Sequence, residues 1–174
     1  MDADAFNFVT PKAFRTNIVE SVEFVGWLWV LAQKTEEKYQ DEMVRTVILY
    51  NMSIVEALLL FWAKKQKKKF FEDKYTDKHI LPNELQGVNG KELLIAHFSR
   101  VEKNDTRVWF HDLIAEGKQL LGKGLHTRVV DLQDIRNTFH LSKSRRVLSF
   151  KKAEGSFDVV LEVVNKIKKD LKKA

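Results

Sequence analysis

The chain has 174 residues, of which 30 are Lys or Arg and 24 are Asp or Glu, for a formal charge of +6. This is the length of one ordinary domain, and with only seven Gly and two Pro little interrupts regular structure, which favours helix over sheet. The lack of cysteine excludes disulfides, thiolate metal sites and cysteine nucleophiles.

The start, Met1-Asp2-Ala3-Asp4, is acidic and lacks the basic-then-apolar pattern of a signal peptide. Residues 1–12 read as a flexible lead-in, and 13–174 as a single domain. From Ala13 to about Lys34, Phe14, Ile18, Val22, Val25 and Trp29 recur every three or four residues and predict a helix. Thr35-Glu36-Glu37 resembles a fresh cap with acids in the first turn. The next stripe is longer: Val44, Val47, Ile48, Asn51, Ile54, Val55, Leu58, Phe61 and Trp62 keep helical spacing, and Leu59 and Leu60 widen it. A stripe this wide belongs at the centre of a core or at an interface.

Phe70 to Asn89, with Pro82 and Gly87, reads as irregular. Lys91 to Val101 reads as a short helix with Leu93, Leu94 and Phe98 on one side. A turn at Lys103–Thr106 precedes a helix from Arg107 to Leu121, closed by Gly122-Lys123-Gly124. Thr127 is placed to cap a helix to about Leu141 with Leu132, Ile135 and Phe139 as its apolar side. A basic connection follows, with a short extended piece at Val147–Phe150. Ser156 then caps a last helix buried through Phe157, Val160, Leu161, Val164, Ile167 and Leu171. The expected fold is all-α, a single bundle of five or six helices with at most a small β-hairpin. The longest apolar stretches, Phe24–Ala32 and Ala57–Ala63, fall short of the roughly 20 residues of a membrane-spanning helix, so the expectation is a cytoplasmic protein without a membrane partner.

Basic residues cluster in three places: Lys64, Lys65, Lys67, Lys68 and Lys69; Lys143, Arg145, Arg146, Lys151 and Lys152; and Lys166, Lys168, Lys169, Lys172 and Lys173. Each cluster reads either as a footprint for an anionic partner or as the solvated, dipole-complementing end of a helix. No phosphate-binding loop occurs, and Gly122-Lys123-Gly124 is too short for a dinucleotide fingerprint. His79, His97, His111, His126 and His140 are scattered, no two at the i, i+4 spacing that binds zinc on a helix. Neither a metal nor a cofactor is implied, and no nucleophile elbow is present.

What remains is Asp131-Leu132-Gln133-Asp134-Ile135-Arg136-Asn137-Thr138-Phe139-His140-Leu141. On a helix Arg136 and His140 stand one turn apart, with Asn137 beside His140, on a face bordering the Leu132–Ile135–Phe139 stripe. Arg supplies a planar fork for phosphate oxygens, His exchanges a proton near neutral pH, and Asn orients a donor or acceptor. The trio suits proton transfer beside a phosphate without a metal. The plainer alternative pairs Arg136 with Asp131 or Asp134 and lets His140 hydrogen-bond a neighbouring helix.

Arg136-Asn137 with His140, on the penultimate long helix before a final amphipathic one, resembles the motif of HEPN proteins. The stretch Asp112–Gly122 resembles the helix that precedes the motif helix in these families, and Val47–Leu59 resembles their core helix, with a buried Glu, here Glu56, ahead of its Leu-rich packing. The likeness spans roughly residues 40–172. Three residues separate Arg136 from His140, fewer than is usual in the family, so the resemblance is to a variant branch of the plasmid- or phage-associated kind. It implies a homodimer with motif helices facing across a cleft, acting as a metal-independent ribonuclease in toxin–antitoxin or phage-defence systems, with an antitoxin protein as partner. It also implies a non-catalytic alternative that binds RNA, a nucleotide or a protein. In the nuclease, Arg136 would stabilise the phosphorane, Asn137 would position the phosphate or the ring, and His140 would act as base or acid. Lys64, Lys65, Lys67, Lys68, Lys69, Lys143, Arg145 and Arg146 would hold the RNA backbone. Trp109 and Phe110 read as core or as surfaces for stacking bases.

Overall fold

The computed structural model describes residues 3–80, 94–138 and 148–173. In chain order these form α1 (Lys12–Lys34), α2 (Glu37–Lys65), β1 (Phe71–Ile80), β2 (Leu94–Glu102), α3 (Phe110–Glu116), α4 (Lys118–Asn137) and α5 (Phe150–Leu171). The protein is therefore mostly helical, with one two-stranded antiparallel sheet. Where the sequence suggests one domain behind a flexible lead-in, the chain divides into two compact units: Met1–Lys67 with Phe110–Ala174, and Lys68–Trp109.

The first unit is built around α2. All nine stripe residues read from the sequence are buried, together with Leu59 and Ala63, and α2 packs against each of the other four helices. Burial of each large apolar side chain contributes about 1.5–3 kcal/mol, so this one helix carries a large share of the core. By length and composition α2 would suffice to cross a membrane, but 61% of its most apolar window is buried among the other helices. Helix α1 buries Ile18, Val25, Leu28 and Ala32. The lead-in is anchored: after a 3₁₀ turn at Ala3–Phe6, Phe6 and Val9 are fully buried, and Phe8 sets its ring edge-on to Phe61 at 5.9 Å.

Several helix boundaries differ from the sequence reading. The helix read from Arg107 to Leu121 is instead a 3₁₀ turn at Asp105–Arg107 followed by α3 from Phe110 to Glu116. Helix α4 starts at Lys118, and its chain breaks at Gly122, where φ 73 and ψ 163 define a conformation open in practice only to glycine. Thr127 is no cap; it lies inside α4, its hydroxyl donating to the Lys123 carbonyl at 3.0 Å. Helix α5 starts at Phe150 and not at Ser156, because Ser149 caps it, accepting from the Lys152 N–H at 3.3 Å. Ser156 is fully buried inside the helix, donating to the Ala153 carbonyl at 2.6 Å and accepting from the Asn51 amide at 2.7 Å. The C-terminal ends of α2 and α5 are tied by Asp170, which accepts from Trp62 Nε1 at 2.9 Å and Gln66 Nε2 at 3.1 Å.

The second unit is the hairpin. The stretch from Lys91 read as a helix contains β2, which pairs with β1 through Phe71 opposite Glu102, Asp73 opposite Arg100 and Tyr75 opposite Phe98. Spacing of Leu93, Leu94 and Phe98 suits a helix as well as a strand, and pairing with a distant partner decides between them. Tyr75 and Phe98 lie 5.5 Å apart on one face, where the Arg100 guanidinium also covers the Phe71 ring at 4.9 Å. A bulge interrupts the register between Thr76 and His79.

Candidate functional site

Helix α4 turns Leu121, Leu125, Val129 and Leu132 into the bundle, and Arg136, four residues beyond Leu132, continues that face. Arg136 thus extends the buried stripe at its end, whereas Ile135, expected in the stripe, is only half-buried. The guanidinium meets α2 and α3 there. Its Nη2 lies 3.0 Å from a carboxylate oxygen of Glu56, and its central carbon stands 5.3 Å from the centroid of the buried Phe110 ring. Neither Asp131 nor Asp134 is the partner shown by this geometry; Asp131 instead faces Lys152 Nζ at 3.5 Å. The side chains of Arg136 and Glu56 keep 34% and 28% of their surface, so the pair is partly covered by protein and partly open to solvent. Asn137, the last residue of α4, is exposed. The helix end is finished by Thr138, whose N–H reaches the Asp134 and Ile135 carbonyls and whose hydroxyl donates to the Ile135 carbonyl at 2.7 Å. An arginine in the last turn also complements the negative end of the helix dipole. His140 lies outside the described residues, as do Lys143, Arg145 and Arg146.

The lysine run is split by the boundary between the two units. Lys64 and Lys65 end α2 and Lys67 follows with φ 51, its N–H donating to the Lys64 carbonyl at 3.0 Å. Lys65 Nζ lies 5.7 Å above the Phe61 ring. Lys64 stands eight residues after Glu56 on α2, about 12 Å along the helix. Lys68 and Lys69 belong to the hairpin unit, where Lys69 pairs with Glu102 at 2.8 Å. Lys151 is exposed at the start of α5. Phe110 is buried core, while Trp109 is 64% exposed with Lys103 Nζ 5.1 Å above its ring.

Three polar contacts escape a reading of the sequence by stripes. Arg45 is 1% exposed, with Nε 3.3 Å and Nη2 3.0 Å from Asp41 Oδ2, while Asp41 Oδ1 accepts the Leu148 N–H at 2.6 Å. The i, i+4 spacing of Asp41 and Arg45 was the visible hint. Asn51 sits in the apolar stripe of α2 because Ser156 satisfies its amide, a link between elements far apart in the chain. Glu56 was visible within the Leu-rich helix, but its pairing with Arg136 was not.

Among the described residues no cluster of three His, Asp or Glu side chains is arranged to hold a metal ion. Comparison of the chain with family models, curated proteins and solved structures finds no match.

Proposed function

We propose that this protein acts on RNA at the C-terminal end of α4, as a metal-independent endoribonuclease of the HEPN type. The observation that carries the reading is the posture of Arg136. Its guanidinium is aimed by Glu56 and backed by Phe110, yet a third of the side chain faces solvent. A fork held in this way gives up little further freedom when it meets phosphate oxygens. Asn137 follows it at the exposed end of the helix, and His140, three residues on in the chain, supplies the group that titrates near neutral pH.

The chemistry is a transesterification. The RNA 2′-oxygen loses its proton and bonds to the adjacent phosphorus, and the bond to the 5′-oxygen breaks as that oxygen takes up a proton. The products are a 2′,3′-cyclic phosphate and a 5′-hydroxyl end. His140 performs one of the two proton transfers, Arg136 stabilises the charge on the phosphorane, and Asn137 positions the phosphate or the ring. Lys64, Lys65 and Lys67, with Lys143, Arg145 and Arg146, hold the backbone through contacts that weaken as salt rises. Such an activity fits a toxin or phage-defence component restrained by an antitoxin protein.

The test is RNA cleavage in EDTA. Wild type is expected to cut, and His140→Ala to lose cleavage with its helical circular dichroism and RNA binding unchanged. A wild type that never cuts RNA, with or without added metal, refutes the nuclease. The ion pair with Glu56 favours a second reading, because it neutralises Arg136 in the free protein: a non-catalytic module that binds RNA, a nucleotide or a protein. Equal RNA binding by wild type and His140→Ala without scission would select it.

A further inference from the structure

The outer face of α1 is apolar. Phe24, Trp27, Val30 and Leu31 are all exposed, Trp27 by 58%, and Tyr50 of α2 extends the patch by setting its ring edge-on to Phe24 at 4.9 Å. Phe24 in turn stacks on Trp27 at 5.7 Å. By contrast α4, the helix on which the family resemblance would place a dimer contact, exposes no large apolar side chain among its described residues. The side of α1 that serves the core lies elsewhere, at Ile18, Val25, Leu28 and Ala32, so the outer stripe, although Phe24 packs on Tyr50, leaves much of its apolar surface in solvent in a single copy. Exposed side chains of this number and size present on the order of 500 Å², and contiguous apolar surface on that scale marks an interaction site.

Independently of the nuclease reading, we infer that this stripe is a self-association face, on which α1 of one copy packs antiparallel to α1 of a second copy about a two-fold axis at Trp27. The charges decide the occupant and the direction. Phe24, Trp27 and Leu31 stand three and then four residues apart, the spacing of an apolar seam between paired helices. Glu20 and Lys34, both exposed, lie seven residues before and after Trp27, each about 10.5 Å from it along the axis. An antiparallel two-fold at Trp27 brings Glu20 of each copy opposite Lys34 of the other, twice, with Phe24 against Val30 and Leu31. A parallel pair would set Glu20 on Glu20 and Lys34 on Lys34. Glu20 and the exposed Glu23 at one end also count against a lipid surface, which recruits faces flanked by cations. Two such faces bury on the order of 1,000 Å², near the lower limit of a specific interface, which suits a weak, reversible dimer.

Sedimentation velocity across micromolar concentrations tests this on the full chain. Wild type is expected to pass from monomer to dimer. Trp27→Lys, an exposed position whose change leaves the circular dichroism intact, is expected to remain monomeric because it places two cations together at the axis. Glu20→Lys and Lys34→Glu are each expected to weaken the dimer by about tenfold or more, and the double variant to restore it. Because the chain has no cysteine, Trp27→Cys introduces the sole thiol and should cross-link to itself on oxidation. A wild type that stays monomeric overturns the inference, whether or not it binds anionic vesicles. So does a dimer that survives Trp27→Lys, or a double variant that associates no better than the single ones.

Discussion

Two arginine–carboxylate pairs sit along α2, and they differ mainly in how far water reaches the arginine, since the two carboxylates are similarly open. Near the start of the helix, Arg45 is 1% exposed and Asp41 holds both its guanidinium and the Leu148 N–H that leads into α5. Three turns on, Glu56 holds Arg136 from α4 at the same 3.0 Å, but both side chains keep about a third of their surface. The first pair is a joint: Asp41, itself 32% exposed, cannot leave without stranding the buried guanidinium of Arg45. In the second, solvent already competes for the guanidinium, and another anion could do the same. Identical chemistry thus gives a structural clamp at one place and an exchangeable counter-ion at the other.

The comparison breaks most visibly at Asp41. Replacing Asp41 by Ala takes the carboxylate from a sealed guanidinium and from the Leu148 N–H, and is expected to cost about 3 kcal/mol in urea unfolding. A loss under 1 kcal/mol would mean that Arg45 is as open as Arg136. Ser156→Ala probes a sealed contact without charge. It removes the acceptor of a buried Asn51 amide and should cost about 1–2 kcal/mol by the same measurement. Arg136→Ala gives up a half-open ion pair and a contact with the Phe110 ring, and should cost only about 1 kcal/mol. A loss as large as that of Asp41→Ala would make Arg136 a structural residue and remove the ground for the proposed site.

How much of this was legible depends on how far each contact reaches along the chain. The core stripe of α2 was readable residue by residue, because the period of one helix carries it. The buried face of α1 was readable in part: Ile18 and Val25 belong to it, whereas Phe14, Val22 and Trp29 are half-buried. Helix α5 was readable as an amphipathic helix but begins six residues before its expected first residue, Ser156, because Ser149 caps it. Ser156 is engaged instead by Asn51, which lies on another helix. Strand β2 failed for a related reason: Tyr75 opposite Phe98 is a pairing across the hairpin and not a local period. At the candidate site, Arg136 and Asn137 were singled out from type and spacing alone. Glu56, which aims Arg136, shows its role only once α2 and α4 are packed together.

The smallest expected effect on stability is also the sharpest test of the open pair. Glu56→Gln keeps the shape of the side chain and removes its charge. Since both partners are partly solvated, stability should fall by under about 1 kcal/mol. The effect on RNA should be larger and should run in two directions. The Glu56 carboxylate and an RNA phosphate compete for one guanidinium, so removing the carboxylate should tighten RNA binding several-fold at low salt, an effect that fades as salt screens both interactions. The same carboxylate aims the fork, so a looser Arg136 should stabilise the phosphorane less well and cleavage should slow, lowering kcat while KM falls. Binding measured by fluorescence anisotropy and cleavage measured in EDTA separate the two. If neither quantity changes, Arg136 does not touch RNA, and the open pair is only a surface ion pair at the end of a helix.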